Sequence, residues 1–301
     1  MAPVLGDIKK VRAEINLEGP GHRLQRLEKL GNNYLLANIM PPFLGRPLAS
    51  TGKRLLGKKF ILIAAFPKSG STLLAATMAK LPGFGLGHLV HSYGRREQEL
   101  EESRLWNTWV IRKNTVFQHH VRHSDHTESL LRRYPFHVVV LVRNLYDVCV
   151  SIYDHLSNDS TILPLAFCDS AILEELDVRE LRFNFIVDLV IPWYLNFFVG
   201  WDQRANVEGT KIQWVYYEHL VSDQHRTIKS IVDEAGIDVA DTGINSAITS
   251  DKFTRYNVGK IGRGKEMLMR YPSARDTIHR YCEYYPSVDF SRICPELDRE
   301  S

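Results

Sequence analysis

The segment that most constrains the fold lies between residues 60 and 80, where a strand, a loop and a helix follow one another. The apolar run 60–66 predicts a buried strand, and residues 73–80 predict a helix. The first backbone N–H groups of a helix lack partners and carry partial positive charge. Gly70, in the loop between the strand and the helix, lets the backbone approach an anion closely. The segment therefore predicts a phosphate-binding loop in an α/β fold.

The loop does not match the phosphate loop of nucleoside triphosphatases, which reads Gly-x-x-x-x-Gly-Lys-Ser/Thr. Ser71 follows Gly70, and the lysine lies two positions before that glycine. The loop therefore also lacks the Gly-Lys-Ser/Thr geometry in which the hydroxyl after the lysine would hold Mg²⁺. The residues predicted to bind phosphate through charge, hydroxyl or backbone groups are Lys68, Ser69, Gly70, Ser71 and Thr72.

A second junction of strand and helix begins at residue 136. Residues 136–142 are continuously apolar, which is typical of a parallel strand covered on both faces. Asn144 can cap the following helix. Arg143 follows the strand, where α/β sheets bind ligands, and Ser151 lies two helical turns further on. These two residues are predicted to close on one anion; the alternative is that Arg143 caps the sheet edge and Ser151 faces the core.

Both segments resemble motifs of one family. Pro-Lys-Ser-Gly-Ser-Thr at 67–72 resembles the 5′-phosphosulfate loop of sulfotransferases, Pro-Lys-Ser-Gly-Thr-Thr. Arg-Asn-x-x-Asp-Val-x-Val-Ser at 143–151 is similar to their 3′-phosphate motif. The resemblance implies an α/β three-layer sandwich with a central parallel sheet, the P-loop NTPase-like sulfotransferase fold. It also implies that the co-substrate is 3′-phosphoadenosine 5′-phosphosulfate, with its 5′-phosphosulfate on the loop and its 3′-phosphate on Arg143 and Ser151.

Histidines crowd the segment 115–126, between the two motifs. The family places a Lys-Thr-His about 22 residues before the arginine, and that histidine is the general base. His120 lies 23 residues before Arg143 and is the predicted base, with His119 as the alternative. Lys68 is expected to assist catalysis. A metal site built from these histidines is the competing interpretation, but no acidic or cysteine partner has ligand spacing, so no metal is expected to be required.

The chain departs from the family just before the predicted base. The family's lysine is absent, and Phe117 and Gln118 stand at the candidate positions. In the family that lysine helps to hold the transferring sulfonate. In this chain, Lys68, His119 or Arg122 would have to hold the sulfonate instead.

Other similarities to the family are looser. Tyr194, in Ile-Pro-Trp-Tyr, looks like the tyrosine that approaches the adenine, although aromatic rings also pack cores. Residues 215–218 correspond to the segment that usually lines the adenine ring in the family. The loop 254–265 stands where the family has an Arg-Lys-Gly that closes over the 3′-phosphate. The candidate ligands there are Arg255, Gly259, Lys260 and Arg263.

Composition agrees with a single ordered enzyme of 301 residues, of which 44% are hydrophobic and 24% charged. A net charge of +3 is too small to indicate a nucleic-acid partner. Residues 1–57 are predicted to form an N-terminal helical arm, with an amphipathic helix over 22–36 and a basic link over 49–59. Residues 58–301 are predicted to form the sulfotransferase domain.

The chain shows no export signal, and its apolar stretch 182–201 is interrupted by polar residues, which predicts a buried or amphipathic helix. Four scattered cysteines then indicate reduced thiols: Cys149, Cys168, Cys282 and Cys294. We therefore expect a soluble cytoplasmic enzyme without a membrane span.

The acceptor is expected to be a hydroxyl or amine of a small molecule or carbohydrate, and a homodimer is left open. The alternatives are a kinase-like phosphotransferase on the same fold, against which the missing lysine argues, and a nucleotide-binding protein without catalysis.

Overall fold

A five-stranded parallel sheet forms the centre of the protein. The computed structural model describes residues 42–90, 99–106, 112–158, 170–176, 178–205, 211–250 and 261–294. In these residues the sheet has the order β2–β3–β1–β4–β5, and all four pairings are parallel. The strands are β1 Phe60–Ala65, β2 Phe84–Gly87, β3 Asn114–His119, β4 Phe136–Val142 and β5 Ile212–Tyr216.

Because all four pairings are parallel, the carboxyl ends of the five strands lie at one edge of the sheet. The helices are α1 Pro42–Pro47, α2 Ser71–Ala79, α3 Asp125–Arg133, α4 Leu145–Asn158, α5 Ser170–Glu174, α6 Arg179–Ala205, α7 Tyr217–Ser222, α8 Gln224–Glu234, α9 Asp241–Thr249, α10 Arg263–Arg270 and α11 Pro272–Glu283. A π-helical turn, Leu48–Gly52, and a helical turn, Lys53–Leu55, continue α1, and 3₁₀ turns occupy Glu102–Trp106 and Phe290–Arg292.

The side chains of β1 alternate between two separate apolar clusters, one on each face of the sheet. Phe60 and Leu62 pack with α4, α6 and α11, whereas Ile61 and Ile63 pack with α2, α8 and α9. Every residue of β1 is fully buried. This arrangement confirms the predicted three-layer α/β sandwich with a central parallel sheet.

The long helix α6 belongs to the core layer. By length and composition it could cross a membrane, yet 61% of its most apolar window is buried inside the protein. It packs against α4 and α11, and Phe183, Tyr194 and Trp201 are among its buried residues. The prediction of a buried or amphipathic helix over residues 182–201 is therefore confirmed.

Local predictions along the two junctions agree with the structure to within two residues. Strand β4 has the predicted bounds, and the Asn144 Oδ1 caps α4 by accepting from Tyr146 N at 2.9 Å. Helix α2 begins at Ser71 rather than at residue 73. Cys149, Cys282 and Cys294 are free and buried. Several predicted features lie outside the described residues: the helix 22–36, Cys168, Arg255, Gly259 and Lys260.

Candidate active site

The loop after β1 has a strained backbone that forms a concave surface. Lys68 has a φ of 66° and Gly70 a φ of 78°, so left-handed residues flank Ser69. A lysine in this region is uncommon and is held there only by surrounding structure. Ser69 is fully buried, and its hydroxyl donates to the Phe66 carbonyl at 2.7 Å. The Ser69 N–H also donates to the Phe66 carbonyl, at 3.4 Å, so both groups of Ser69 fix the turn that leads into α2.

The amino terminus of α2 opens onto the same surface. Gly70 occupies the N-cap position and offers no side-chain cap, and the first turn contains no acidic residue. The first helical hydrogen bond runs from Leu74 N to Gly70 O at 3.1 Å. The preceding amides of Ser71, Thr72 and residue 73 have no intrahelical acceptor. The positive end of the helix dipole therefore adds to the loop's affinity for an anion.

Arg143 lies beside the loop at the carboxyl end of β4, and its side chain is almost completely buried. The guanidinium donates through Nη1 to the Lys68 carbonyl at 3.0 Å and stacks 4.0 Å from the centre of the Tyr217 ring. Its Nε is buried and has no hydrogen-bond partner among the described residues. Because an unpaired buried donor is costly, this N–H points to an acceptor that a bound anion would supply.

Tyr217 joins the two anion-binding elements. A Cβ at Gly70 would lie 2.9 Å from the ring of Tyr217, so a side chain larger than that of glycine would displace the ring. Glu218, next in the chain, accepts from Asn144 N at 3.3 Å and ties the end of β5 to the start of α4. The segment 215–218, predicted to line the adenine, thus lies against both phosphate motifs.

Ser151 lies on α4, half-buried, eight residues after Arg143. Asp147 stands midway between the two, and residues four apart share one side of a helix. Arg143 precedes α4 and Ser151 lies within it, and that the two close on one anion stays a prediction.

The neighbouring histidines at the end of β3 have opposite environments. His119 is buried, and its Nε2 accepts from the backbone N–H of Leu89 at 3.0 Å. Burial, with smaller contributions from the charges of His88 and His120, lowers the pKa of His119 to about 3. Its imidazole is neutral and its lone pair is already used, so it supports the backbone at Leu89.

His120 is half-buried at the carboxyl edge of the sheet. Its Nδ1 lies 2.8 Å from the Ala65 carbonyl oxygen, which can only accept, so Nδ1 carries the proton. In the neutral ring the lone pair is then on Nε2, which lies 3.5 Å from the Gln118 amide nitrogen. This tautomer is the one that a proton acceptor requires.

The other two histidines of the crowded segment bind different partners. The His123 ring contacts the Glu128 carboxylate at 3.2 Å, and the His126 ring contacts the Leu100 carbonyl at 2.7 Å. Within the described ranges, no group of three or more His, Cys, Asp or Glu side chains could hold a metal ion.

Two predicted nucleotide ligands have other partners in the structure. Tyr194 is fully buried, and its hydroxyl donates to the Pro67 carbonyl at 3.0 Å, so it supports the loop after β1. The predicted contact of Tyr194 with adenine stays a prediction. Arg263 pairs with Asp154 on α4 at 2.6 Å.

A cavity of about 490 Å³ opens between α4, the end of β5 and the start of α10. Two of its cations, Lys265 and Arg292, are not among the predicted ligands. Lys265 belongs to the basic loop that the sequence did indicate, whereas nothing in the sequence around Arg292 marks it. The lining residues are Asn144, Tyr146, Asp147, Tyr216, Glu218, His219, Ile261, Gly262, Lys265, Ser291 and Arg292.

Solved structures with a similar fold include sulfotransferases from several organisms. Mouse sulfotransferase SULT7A1 complexed with PAP has a TM-score of 0.49 and 18% identity, over 75% of this chain and 89% of that chain. A sulfotransferase from Alicyclobacillus acidocaldarius has a TM-score of 0.43 and 14% identity, over 74% and 94%. Sulfotransferase STF1 from Mycobacterium tuberculosis has a TM-score of 0.44 and 13% identity, over 84% and 86%.

A comparison with curated protein sequences finds no match. The sulfotransferase domain model, in contrast, matches residues 58–256, which include both phosphate motifs and the histidines between them. The chain therefore belongs to the sulfotransferase domain family and is a sulfotransferase enzyme of the P-loop-like α/β fold.

Proposed function

We propose that this sulfotransferase moves a sulfonate group from 3′-phosphoadenosine 5′-phosphosulfate to a hydroxyl or amine of a small-molecule or carbohydrate acceptor. The observation that carries the proposal is Arg143, a buried guanidinium with an unpartnered Nε beside the uncapped start of α2. Two anion-binding elements at one sheet edge suit a nucleotide with phosphate groups at both its 5′ and 3′ positions.

The residues present fit such a co-substrate. Lys68, the loop amides and the hydroxyls of Ser71 and Thr72 would hold the 5′-phosphosulfate through charge and hydrogen bonds. Arg143 and Ser151 would hold the 3′-phosphate, with the Arg143 Nε gaining the acceptor that it lacks. Tyr194 would hold the loop in place through the hydrogen bond from its hydroxyl to the Pro67 carbonyl.

His120 would act as the general base. Its Nε2 takes the proton of the acceptor hydroxyl while the acceptor oxygen forms a bond to sulfur. The bond between sulfur and the 5′-phosphate oxygen breaks, and adenosine 3′,5′-bisphosphate leaves with that electron pair. Lys68 and the loop N–H groups stabilise the negative charge that develops on the leaving oxygen.

Separate alanine variants of His120 and His119 test this assignment. His120→Ala should lower turnover by about a hundredfold to ten-thousandfold, because a positioned base supplies that much, while adenosine 3′,5′-bisphosphate binds unchanged. His119→Ala should mainly destabilise the fold, by about 1–3 kcal/mol, since the Leu89 N–H loses its acceptor. Initial rates at saturating donor, with a panel of phenols, alcohols and amines, give the turnover, and titration calorimetry gives the affinity.

His126→Ala is the matched control, because the ring of this histidine bonds to the Leu100 carbonyl and not to the predicted base. It should keep the full rate. If His119→Ala is the inactive variant, the base is misassigned by one residue. If neither variant loses more than a few-fold, general-base catalysis from this segment is wrong.

A nucleotide-binding protein without catalysis is the second candidate, and one observation favours it. Gln118, an uncharged residue, stands within 3.5 Å of the His120 Nε2, in a position where a lysine would supply charge to the sulfonate. Tight binding of adenosine 3′,5′-bisphosphate, together with no sulfonate transfer to any member of the acceptor panel, would select this candidate.

A further inference from the structure

One buried carboxylate, that of Asp147, joins the 3′-phosphate motif to the start of α10. Its Oδ2 accepts from Gly262 N at 2.8 Å and its Oδ1 from Gly264 N at 2.7 Å. Asp147 is 3% exposed, so these hydrogen bonds are shielded from water. Charge-assisted bonds to backbone N–H groups are stronger than neutral ones. A single side chain thus fastens a distant loop onto the first turn of α4.

The fastened loop lies closer to α4 than a side chain would permit. A Cβ on Gly264 would stand 2.2 Å from the Tyr146 carbonyl carbon and 2.4 Å from Asp147 N. Gly262 has a φ of 85°, a conformation that favours glycine. The pair of glycines is therefore what lets the loop reach the Asp147 carboxylate.

The position of the contact links it to the nucleotide. Asp147 lies one helical turn from Arg143 and one from Ser151, and its Oδ2 is 3.9 Å from the Arg143 Nη2. The carboxylate also faces the amino termini of α4 and α10, whose positive dipole ends it offsets. The first turn of α10, held in this way, carries Lys265, which lines the same cavity as Asn144.

We propose that Asp147 is a positioning residue, a latch that holds residues 262–265, at the start of α10, against the 3′-phosphate site and thereby makes the enzyme select nucleotides that carry a 3′-phosphate. The inference rests on the proposed function, which places the 3′-phosphate on Arg143 and Ser151. Asp147 itself, with both oxygens bonded to the loop, is not a ligand of the nucleotide.

The test measures the preference for adenosine 3′,5′-bisphosphate over adenosine 5′-monophosphate, because these nucleotides differ only in the 3′-phosphate. Titration calorimetry on the full chain gives both affinities for the wild type and two variants. Asp147→Asn keeps one carbonyl oxygen and replaces the other acceptor by a donor, and Gly264→Ala blocks the close approach. Each variant should lower the bisphosphate affinity about tenfold or more and leave the monophosphate affinity within about twofold.

Asp223→Asn is the matched control, because the Asp223 carboxylate also accepts a backbone N–H at a helix start, from Arg226 at 2.9 Å. It should leave the preference unchanged. In steady-state kinetics, the latch variants should raise the KM for the donor more than they lower kcat, which a general loss of folded protein would not do.

The outcomes separate the two proposals. A wild type that binds both nucleotides equally would overturn the proposed 3′-phosphate site and the latch together. A wild type that prefers the bisphosphate, with Asp147→Asn and Gly264→Ala keeping that preference within twofold, would overturn the latch alone. A thermal shift in either variant without a change in the preference would make the contact purely structural and would also reject the latch.

Discussion

Single residues with similar sequence contexts have different physical states in this protein. His119 and His120 are adjacent, yet one is buried against the Leu89 N–H and the other presents its Nε2 at the sheet edge. Spacing from Arg143 could favour His120 from the sequence alone. The hydrogen bonds that fix each tautomer could not be predicted, because Leu89 and Ala65 reach the histidines only through the pairing of strands.

Lys53 is a second residue whose state the sequence does not reveal. It lies in the basic link 49–59, where lysines are usually solvated, but it is fully buried. Its Nζ donates to the Lys113 carbonyl at 2.6 Å and stands 4.0 Å from the centre of the Phe60 ring. Burial, with a smaller contribution from the charge of Lys58, lowers the pKa of Lys53 to about 7.

This lowered pKa makes stability depend on pH. The unfolded chain binds the Lys53 proton up to the ordinary value of 10.5, whereas the folded protein loses it near 7. The contribution of Lys53 to stability is therefore complete above pH 10.5 and decreases as the pH falls toward 7. Between pH 7 and 9 the wild type should gain about 2 kcal/mol relative to Lys53→Met, which cannot titrate. Urea unfolding of both proteins at each pH measures the difference, and a constant difference would contradict the buried titration.

At the scale of elements, a cluster of charges fastens α3 to α6. Glu128 on α3 bonds to Arg132, to His123 and to Arg204 of α6. Burial alone would raise the pKa of Glu128, but hydrogen bonds from Arg132 and His123 and the charge of Arg204 lower it below its usual value. Arg204 is itself buried, and its Nη1 has no hydrogen-bond partner in the described part of the chain.

Glu128→Ala should therefore destabilise the protein by about 3–5 kcal/mol, because it leaves the Arg204 charge buried and unpaired. Replacing both partners, in Glu128→Ala with Arg204→Met, should recover part of that loss. Chemical denaturation of the three proteins and the wild type gives the free energies of unfolding. A double variant as unstable as Glu128→Ala would mean that the unpaired charge is not the cause. Asp233→Ala, which removes an exposed pair with Lys229, serves as the control and should change little.

Elements were predictable where one local signal dominates. The continuous apolar run 136–142 and the Asn144 cap predict β4 and the start of α4, and both are confirmed. The hydrogen bond from Tyr194 to the Pro67 carbonyl was not predictable, since an aromatic residue in an apolar helix can equally well pack in a core or contact a ligand. The close packing of Gly264 against the backbone of Tyr146 and Asp147 was not predictable either. Only the fold shows that Gly262 and Gly264 donate their N–H groups to the Asp147 carboxylate.

At the scale of the whole molecule, the strand order explains why the site lies where it does. Neighbouring strands β1 and β4 are followed by helices on opposite faces of the sheet, α2 on one and α4 on the other. Such a reversal opens a crevice at the carboxyl ends of the two strands. At this crevice the Arg143 Nη1 donates a hydrogen bond to the Lys68 carbonyl oxygen at 3.0 Å. Two motifs 75 residues apart in the chain thus become one site.

The crevice leads to a prediction about the stability of the whole protein. Adenosine 3′,5′-bisphosphate should bind only the folded protein, because β1, β4 and α4 must be assembled to form the site. At a concentration one hundred times its Kd it would add about 2.7 kcal/mol, which raises the Tm by roughly 5 °C for a domain of this size. ATP lacks a 3′-phosphate for Arg143 and Ser151 and should raise the Tm much less at the same concentration. Arg143→Ala should reduce the effect of the bisphosphate to that of adenosine 5′-monophosphate. Equal Tm increases with ATP and the bisphosphate in the wild type would contradict the assignment of the donor nucleotide.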